Sequence, residues 1–145
     1  MPRRSRAREV VLQVLYQDDL NPTHSLNATD EFLRARLHNH AELIEFANSI
    51  LSGTRRNRPE LDQILESRAS NWSLERMAAT DRNILRLGAF EILYTETPGR
   101  VAINEAVELA KRYGSKQSAQ FVNGILDGLL PDKNQPDKNQ PTTES

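Results

Sequence analysis

Arg3, Arg4, Arg6 and Arg8 crowd the first eight residues of the chain with no acid among them. Arginine at that density can neutralise phosphates, since each guanidinium offers a charge and a fork of donors. The same residues could equally solvate a helix end, and the formal net charge of −1 does not by itself call for a polyanionic partner. A second basic run, Arg55, Arg56 and Arg58, is open to the same two readings. Two rings offer the complementary chemistry. On a wheel of 3.6 residues per turn, Ala7, Val11, Val14 and Leu15 form a buried side. Tyr16 points nearly opposite, on an outer row with Ser5, Glu9 and Leu12. Phe121 falls outside the core row of Ala119, Val122, Ile125, Leu126 and Leu129, sharing a face with Gln117, Gly124 and Gly128. Unpaired bases stack on such rings while arginines hold the phosphates; alternatively, a neighbouring helix covers Phe121 beside its two glycines. Lys116, at the amide-rich start of the last helix, adds a single-phosphate contact or is an ordinary exposed lysine.

Catalytic apparatus is not legible. His38 and His40 stand two apart in a loop, with His24 as the third histidine and no cysteine in the chain, which is a poor metal set. Gly114-Ser115-Lys116 echoes the end of a phosphate-binding loop, but the earlier glycine at the required spacing is missing. Glu105 and Glu108 share a helix with Lys111 and Arg112, where such spacing favours surface ion pairs over acid-base work. No enzyme activity, metal or cofactor is expected.

The elements that must position these residues are helices throughout. Apolar residues recur at helical spacing and no segment alternates with a period of two. Seven helices are predicted: about Arg3 to Leu20, Thr29 to Leu37, a long helix from His40 kinked at Pro59, a short turn through Trp72, Leu74 and Met77, then Thr80 to Thr95, Val101 to Tyr113, and a last helix capped by Ser115. Thr80 is read as the N-cap of the helix that carries Ile84, Leu85, Leu87, Phe90 and Ile92. Apolar on nearly every side, that helix has to be central. Gly114 ends the helix before the last one. Pro131-Asp-Lys-Asn-Gln135 repeats as Pro136-Asp-Lys-Asn-Gln140, so a folded unit over 1–131 and a disordered polar tail over 132–145 are expected.

A chain of 145 residues without cysteine needs no staple and suits a reducing, cytoplasmic setting. The basic start followed by Val10 to Tyr16 loosely imitates a secretory signal, but Gln13 interrupts the run and Asp18 and Asp19 close it. No stretch approaches the roughly 20 apolar residues of a membrane helix, so a soluble protein is expected.

Three separated stretches carry a resemblance. They are the arginine-rich opening with Leu12-Gln13-Val14-Leu15-Tyr16; Asn71-Trp72-Ser-Leu74-Glu-Arg76-Met77 with Asp81-Arg82-Asn-Ile84-Leu85-Arg86-Leu87; and Val101 to Gly114 with Phe121-Val-Asn123-Gly124-Ile-Leu126-Asp127. Together, over about Arg3 to Leu130, they resemble the NusB family of transcription antitermination factors. The resemblance implies two perpendicular three-helix bundles, binding of boxA RNA in ribosomal RNA leaders, pairing with the ribosomal protein NusE, and loading of both onto the RNA polymerase antitermination complex. It implies RNA contacts from Arg3, Arg4, Arg6, Arg8, Tyr16 and Phe121, with Gln117 where relatives are often acidic and Ser5 in place of a frequent arginine. Glu75, Arg76 and Arg82 are candidates for the NusE surface. Arg86 and Glu105 read as internal, fixing the bundles. Self-association stays open.

Two other readings compete. The fold also resembles the N-terminal RNA-binding part of certain ribosomal RNA cytosine methyltransferases, but no glycine-rich cofactor loop follows. A purely protein-binding helical module would leave the arginines and rings as ordinary surface.

Overall fold

The computed structural model describes residues 3–21, 26–69 and 72–131. The polar tail over 132–145 lies outside the described residues, as do Pro2 and Pro22. The chain forms α1 (Arg3–Leu20), α2 (Leu26–Arg36), α3 (Ala41–Arg56), α4 (Arg58–Arg68), a 3-10 turn (Leu74–Arg76), α5 (Ala79–Tyr94), α6 (Gly99–Tyr113) and α7 (Ser118–Asp127). There is no strand among the described residues. Helices α1, α2 and α3 pack on one another, α5, α6 and α7 form a second mutually packed group, and α1 and α3 both meet α5 at the junction. Two three-helix bundles result, with α4 laid on α5.

Local chemistry sets the boundaries. His38 and Asn39 turn through the left-handed region at φ 53° and 56°. His40 then caps α3, its Nδ1 accepting the Leu43 amide at 3.4 Å. A kink at Pro59 is the sequence expectation, but the helix breaks at Asn57, which ends α3 at φ −101° and ψ 12°. Pro59 falls in the first turn of α4, where no helical partner needs its missing N–H. Two expected caps are also displaced. Ala78, not Thr80, precedes α5 and brings no side-chain cap. Before α7, Ser118 Oγ accepts the Ser115 amide at 2.8 Å, the reverse of a Ser115 cap. Gly114 ends α6 as expected, and a Cβ there would stand 2.5 Å from that of Ser118.

Every residue of α5 from Asn83 to Ile92 is buried, as its all-round apolar pattern requires. Helix α3 reaches it closely: a Cβ on Gly53 would lie 2.1 Å from Cζ of Phe90. Helix α1 is enclosed over its first half, where all residues from Ala7 to Leu12 are buried, including Arg8 and Glu9 at 4% exposure each. The outer row drawn through Ser5, Glu9, Leu12 and Tyr16 is therefore corrected. Leu12 is core, Glu9 is buried and ion-paired, and only Tyr16 of the four stands exposed.

Buried charges fasten the bundles. Arg8 donates through Nε and Nη2 to the two oxygens of Glu91 at 2.7 and 2.8 Å, tying α1 to α5. Asp19 accepts from Arg82, Asn83, Arg86 and Arg58 at 2.8 to 3.4 Å. Burial alone would raise the Asp19 pKa, but the bonds from Arg82 and Asn83 and the charges of Arg82 and Arg86 outweigh it and hold the carboxyl below its ordinary range. Arg86 also forks onto Asp62 at 2.7 and 3.0 Å. Two of the three arginines of the mid-chain basic run belong to the same fastening. Arg55 forks onto Asp18 at 2.7 and 2.8 Å, and Arg58 reaches Asp19.

Candidate nucleic-acid interface

The four leading arginines do not share one fate. Arg3 opens α1, and its side chain lies outside the described residues. Arg4 is exposed, with its guanidinium carbon 4.4 Å from the centre of the Phe46 ring on α3. That ring holds the cation in place while leaving its edge to solvent. Arg6 is half exposed and donates to Glu9 at 2.9 Å. Arg8 is a correction: at 4% exposure and forked onto Glu91, it has no free donor face for a phosphate. Burial would lower its pKa, but Glu91 and Glu105 prevail and raise it, so the group stays charged where it is.

Glu9 gathers a cationic edge. One carboxylate oxygen accepts from Arg6 and the other from Arg112 at the end of α6. Tyr113 stands beside them, its pKa raised first by burial and then by the Glu9 charge. One acid thus restrains two arginines on the surface where α1 meets α6, and Glu105, Glu108 and Lys111 line the same groove. Arg112 is 54% exposed along its side chain, and the sequence reading assigned it only to surface pairing with nearby acids. Its role as a bridge to α1 depends on the packing of residues about 100 positions apart, which no local spacing reports.

The rings occupy two grooves. Tyr16, 37% exposed, and Tyr113, 40% exposed, line one groove of about 420 Å³ between α1, α2 and α6. Phe121 is half-buried and lines the other, of about 370 Å³, with Arg76, Gln117 and Trp72. Trp72 meets Phe121 edge-on, with ring centres 5.9 Å apart and planes at 73°, and is 56% exposed. Phe121 touches the core and still lines the groove, and no helix closes on Gly124, where an added Cβ would meet nothing within 4 Å. Sequence reasoning misses Trp72 as a functional residue, because its pattern marks only a structural place in a short linking turn. Thr80 and Asp81 of α5 face one groove each, as do Tyr113 and Ser115, so the two rows adjoin. Lys116 and Gln117 stand exposed before α7, and Gln117 opens onto the Phe121 groove.

Of the partner-surface candidates, Glu75 and Arg76 are exposed and Arg76 borders the Trp72–Phe121 groove. Arg82 is corrected to an internal strut, donating to Asp19 and to the carbonyls of Leu74 and Met77 at 2.8 to 3.0 Å. Arg86 is internal as expected, but it pairs with Asp19 and Asp62, and Glu105 is half-buried at the groove beside Arg112, so the expected internal pair between the two is corrected. Glu105 accepts from Ser5 at 2.7 Å and lies 3.6 Å from Arg8. No three His, Asp or Glu among the described residues converge as metal ligands, and no helix there is long and apolar enough to cross a membrane.

Among the described residues, a helical fold of two small bundles with exposed arginines and two adjoining ring-lined grooves defines the class. Comparison with known proteins gives it a family: residues 5–131 match the NusB family, and the chain belongs to that family. It is 44% identical over 125 residues to the transcription antitermination protein NusB of Anaeromyxobacter dehalogenans strain 2CP-1, covering 86% of this chain and 88% of that one. Among solved structures, T. maritima NusB superposes with a TM-score of 0.78 at 35% identity, covering 89% of this chain and 90% of that one. A structure of the antitermination factors NusB and NusE in complex with double-stranded RNA gives a TM-score of 0.72 at 28% identity, covering 89% and 96%.

Proposed function

We propose that this chain is a transcription antitermination factor that binds boxA-type RNA of ribosomal RNA leaders together with NusE, acting on RNA polymerase in the cytoplasm without catalysis of its own. Membership of the NusB family and the similar NusB bound to NusE and RNA support the partners. The observation that carries the reading is the rim itself. Tyr16 and Tyr113 line one groove, and exposed Trp72 and half-buried Phe121 line the adjoining one; Arg112 precedes Tyr113 in the chain and shares Glu9 with Arg6, and exposed Lys116 precedes Gln117 of the second groove. Rings stack on bases only where the bases are unpaired, which favours a single strand over a duplex. Gln117, able both to donate and to accept, opens onto the Phe121 groove. Glu75 and the Arg76 edge of the same groove are the proposed NusE side, so that RNA and protein partner meet along one border.

Titration of a labelled single-stranded boxA RNA, its duplex and a scrambled strand, each with and without NusE, tests this. Weak binding by the chain alone, tightened by NusE and selective for the boxA strand, is the expected result. Equal curves for boxA and scrambled strands in both arms would overturn it.

A further inference from the structure

The arginines at the start of α1 are held in two different ways. Arg6 and Arg8 are fixed by carboxylates, Glu9 and Glu91, which offset the charge they fix. Arg4 is fixed by a ring. Its guanidinium carbon lies 4.4 Å from the centre of Phe46, and among the described residues no carboxylate pairs with it. The same ring stands 5.1 Å from the guanidinium carbon of Arg8. Arg4 and Arg8, four residues apart, lie one above the other on α1, and α3 packs Phe46 against that row. Arg8 is locked by its fork onto Glu91, and Phe46 is half-buried and packed on the core, so the platform beneath Arg4 is itself immobile. Arg4 alone of the three is exposed.

How a cation is held decides what it can do next. A carboxylate fixes a guanidinium but competes with any phosphate for its charge and its donors. A ring face attracts the same cation through its quadrupole and leaves the whole charge and the donor edge free. Ordering a long side chain on binding costs free energy, and one already resting on a ring has less freedom left to lose. We propose that Phe46 is a positioning residue for the RNA contact: it orders Arg4 in advance as a phosphate clasp, so that α3 takes part in binding without touching the strand. The inference rests on the RNA-binding reading above and gives α3 a part that its core stripe does not announce.

The test measures binding of a fluorescent single-stranded boxA RNA to the full chain as wild type, Phe46→Leu, Phe46→Tyr, Arg4→Ala, Arg4→Ala with Phe46→Leu, and Phe121→Ala. Phe46→Leu should weaken binding about two- to fivefold, the order of an exposed cation–π contact, and Phe46→Tyr, which keeps the ring, should not. With Arg4 already removed, Phe46→Leu should cost nothing further, because its effect passes through Arg4. The slope of log affinity against log salt should fall by about 0.7 in Arg4→Ala and hold its wild-type value in Phe46→Leu, which loses order but no charge. Equal loss from Phe46→Leu with and without Arg4, or none, overturns the positioning role and leaves the RNA face standing. An Arg4→Ala without effect beside a Phe121→Ala that weakens binding does the same. If Phe46→Leu does not fold, the wild-type chain decides by NMR. The δ protons of Arg4 should resonate upfield of those of exposed Arg56, since a ring shields what lies over its face, and equal shifts overturn the proposal. Identical binding by wild type and every variant overturns the RNA face beneath it.

Discussion

The junction of α1 with α5 and the rim where α1 meets α6 are both rich in arginine, yet they use it in opposite ways. At the junction Arg8 meets Glu91 in a two-bond fork, with both residues almost wholly enclosed, and Asp19 collects four donors. At the rim Arg4 leans on a ring, while Arg6 and Arg112 divide one carboxylate between them. Burial, rather than the number of arginines, decides which region presents a cation to a phosphate: the Arg8 and Arg86 side chains are 5% exposed, those of Arg6 and Arg112 37% and 54%.

The largest expected effect breaks the interior half. Arg8→Ala leaves the Glu91 carboxylate buried and unpaired and should lower stability by about 3 to 5 kcal/mol, read by urea denaturation. The double change Arg8→Met with Glu91→Leu should recover most of that loss. A cost near zero for Arg8→Ala would show that the pair is not buried.

On the rim, Phe121→Ala should weaken single-stranded RNA binding by about 1 to 3 kcal/mol, with Trp72→Ala in the same range. Lost thermal stability with unchanged RNA affinity would instead make Phe121 a core residue alone.

The helices were legible because nearly every one buries a stripe at the helical period, and α5 was placed at the centre because its pattern has no polar side. The same logic misled on α1. A wheel sends charged residues outward, so it sets Glu9 beside Tyr16 and groups Arg8 with the phosphate-binding arginines. Their partners, Arg112 and Glu91, arrive from α6 and α5, and nothing within a turn of helix reports them. Arg82 was read as a partner contact for the same reason, since the Asp19 that takes it lies on another helix. Tyr16 and Phe121 were legible as rings off the core rows, whereas Tyr113 and Trp72 gained meaning only when folding set them in the same grooves. Pro59 announced an interruption, but whether it bent or ended the helix was settled at Asn57, which closes α3 by donating its side-chain amide to the Gly53 carbonyl at 2.8 Å.

A smaller effect sharpens the interior half through pH. The Asp19 carboxyl is held below its ordinary value of 3.8 in the folded chain. The stability it contributes is therefore complete above that value and is lost as pH falls through the depressed folded pKa. Asp19→Asn should flatten the stability curve in that acidic window, measured by denaturant midpoints. An unaltered acid limb would remove Asp19 from the account.

The most direct measurement is the salt dependence of single-stranded boxA RNA binding in three proteins: wild type, Arg4→Ala with Arg6→Ala, and Arg8→Met with Glu91→Leu. Each rim arginine removed should lower the slope of log affinity against log salt by about 0.7, while the interior exchange leaves it unchanged. A slope unmoved by the rim pair, or lowered by the interior exchange, would contradict the division between charge used to hold the fold and charge left for RNA.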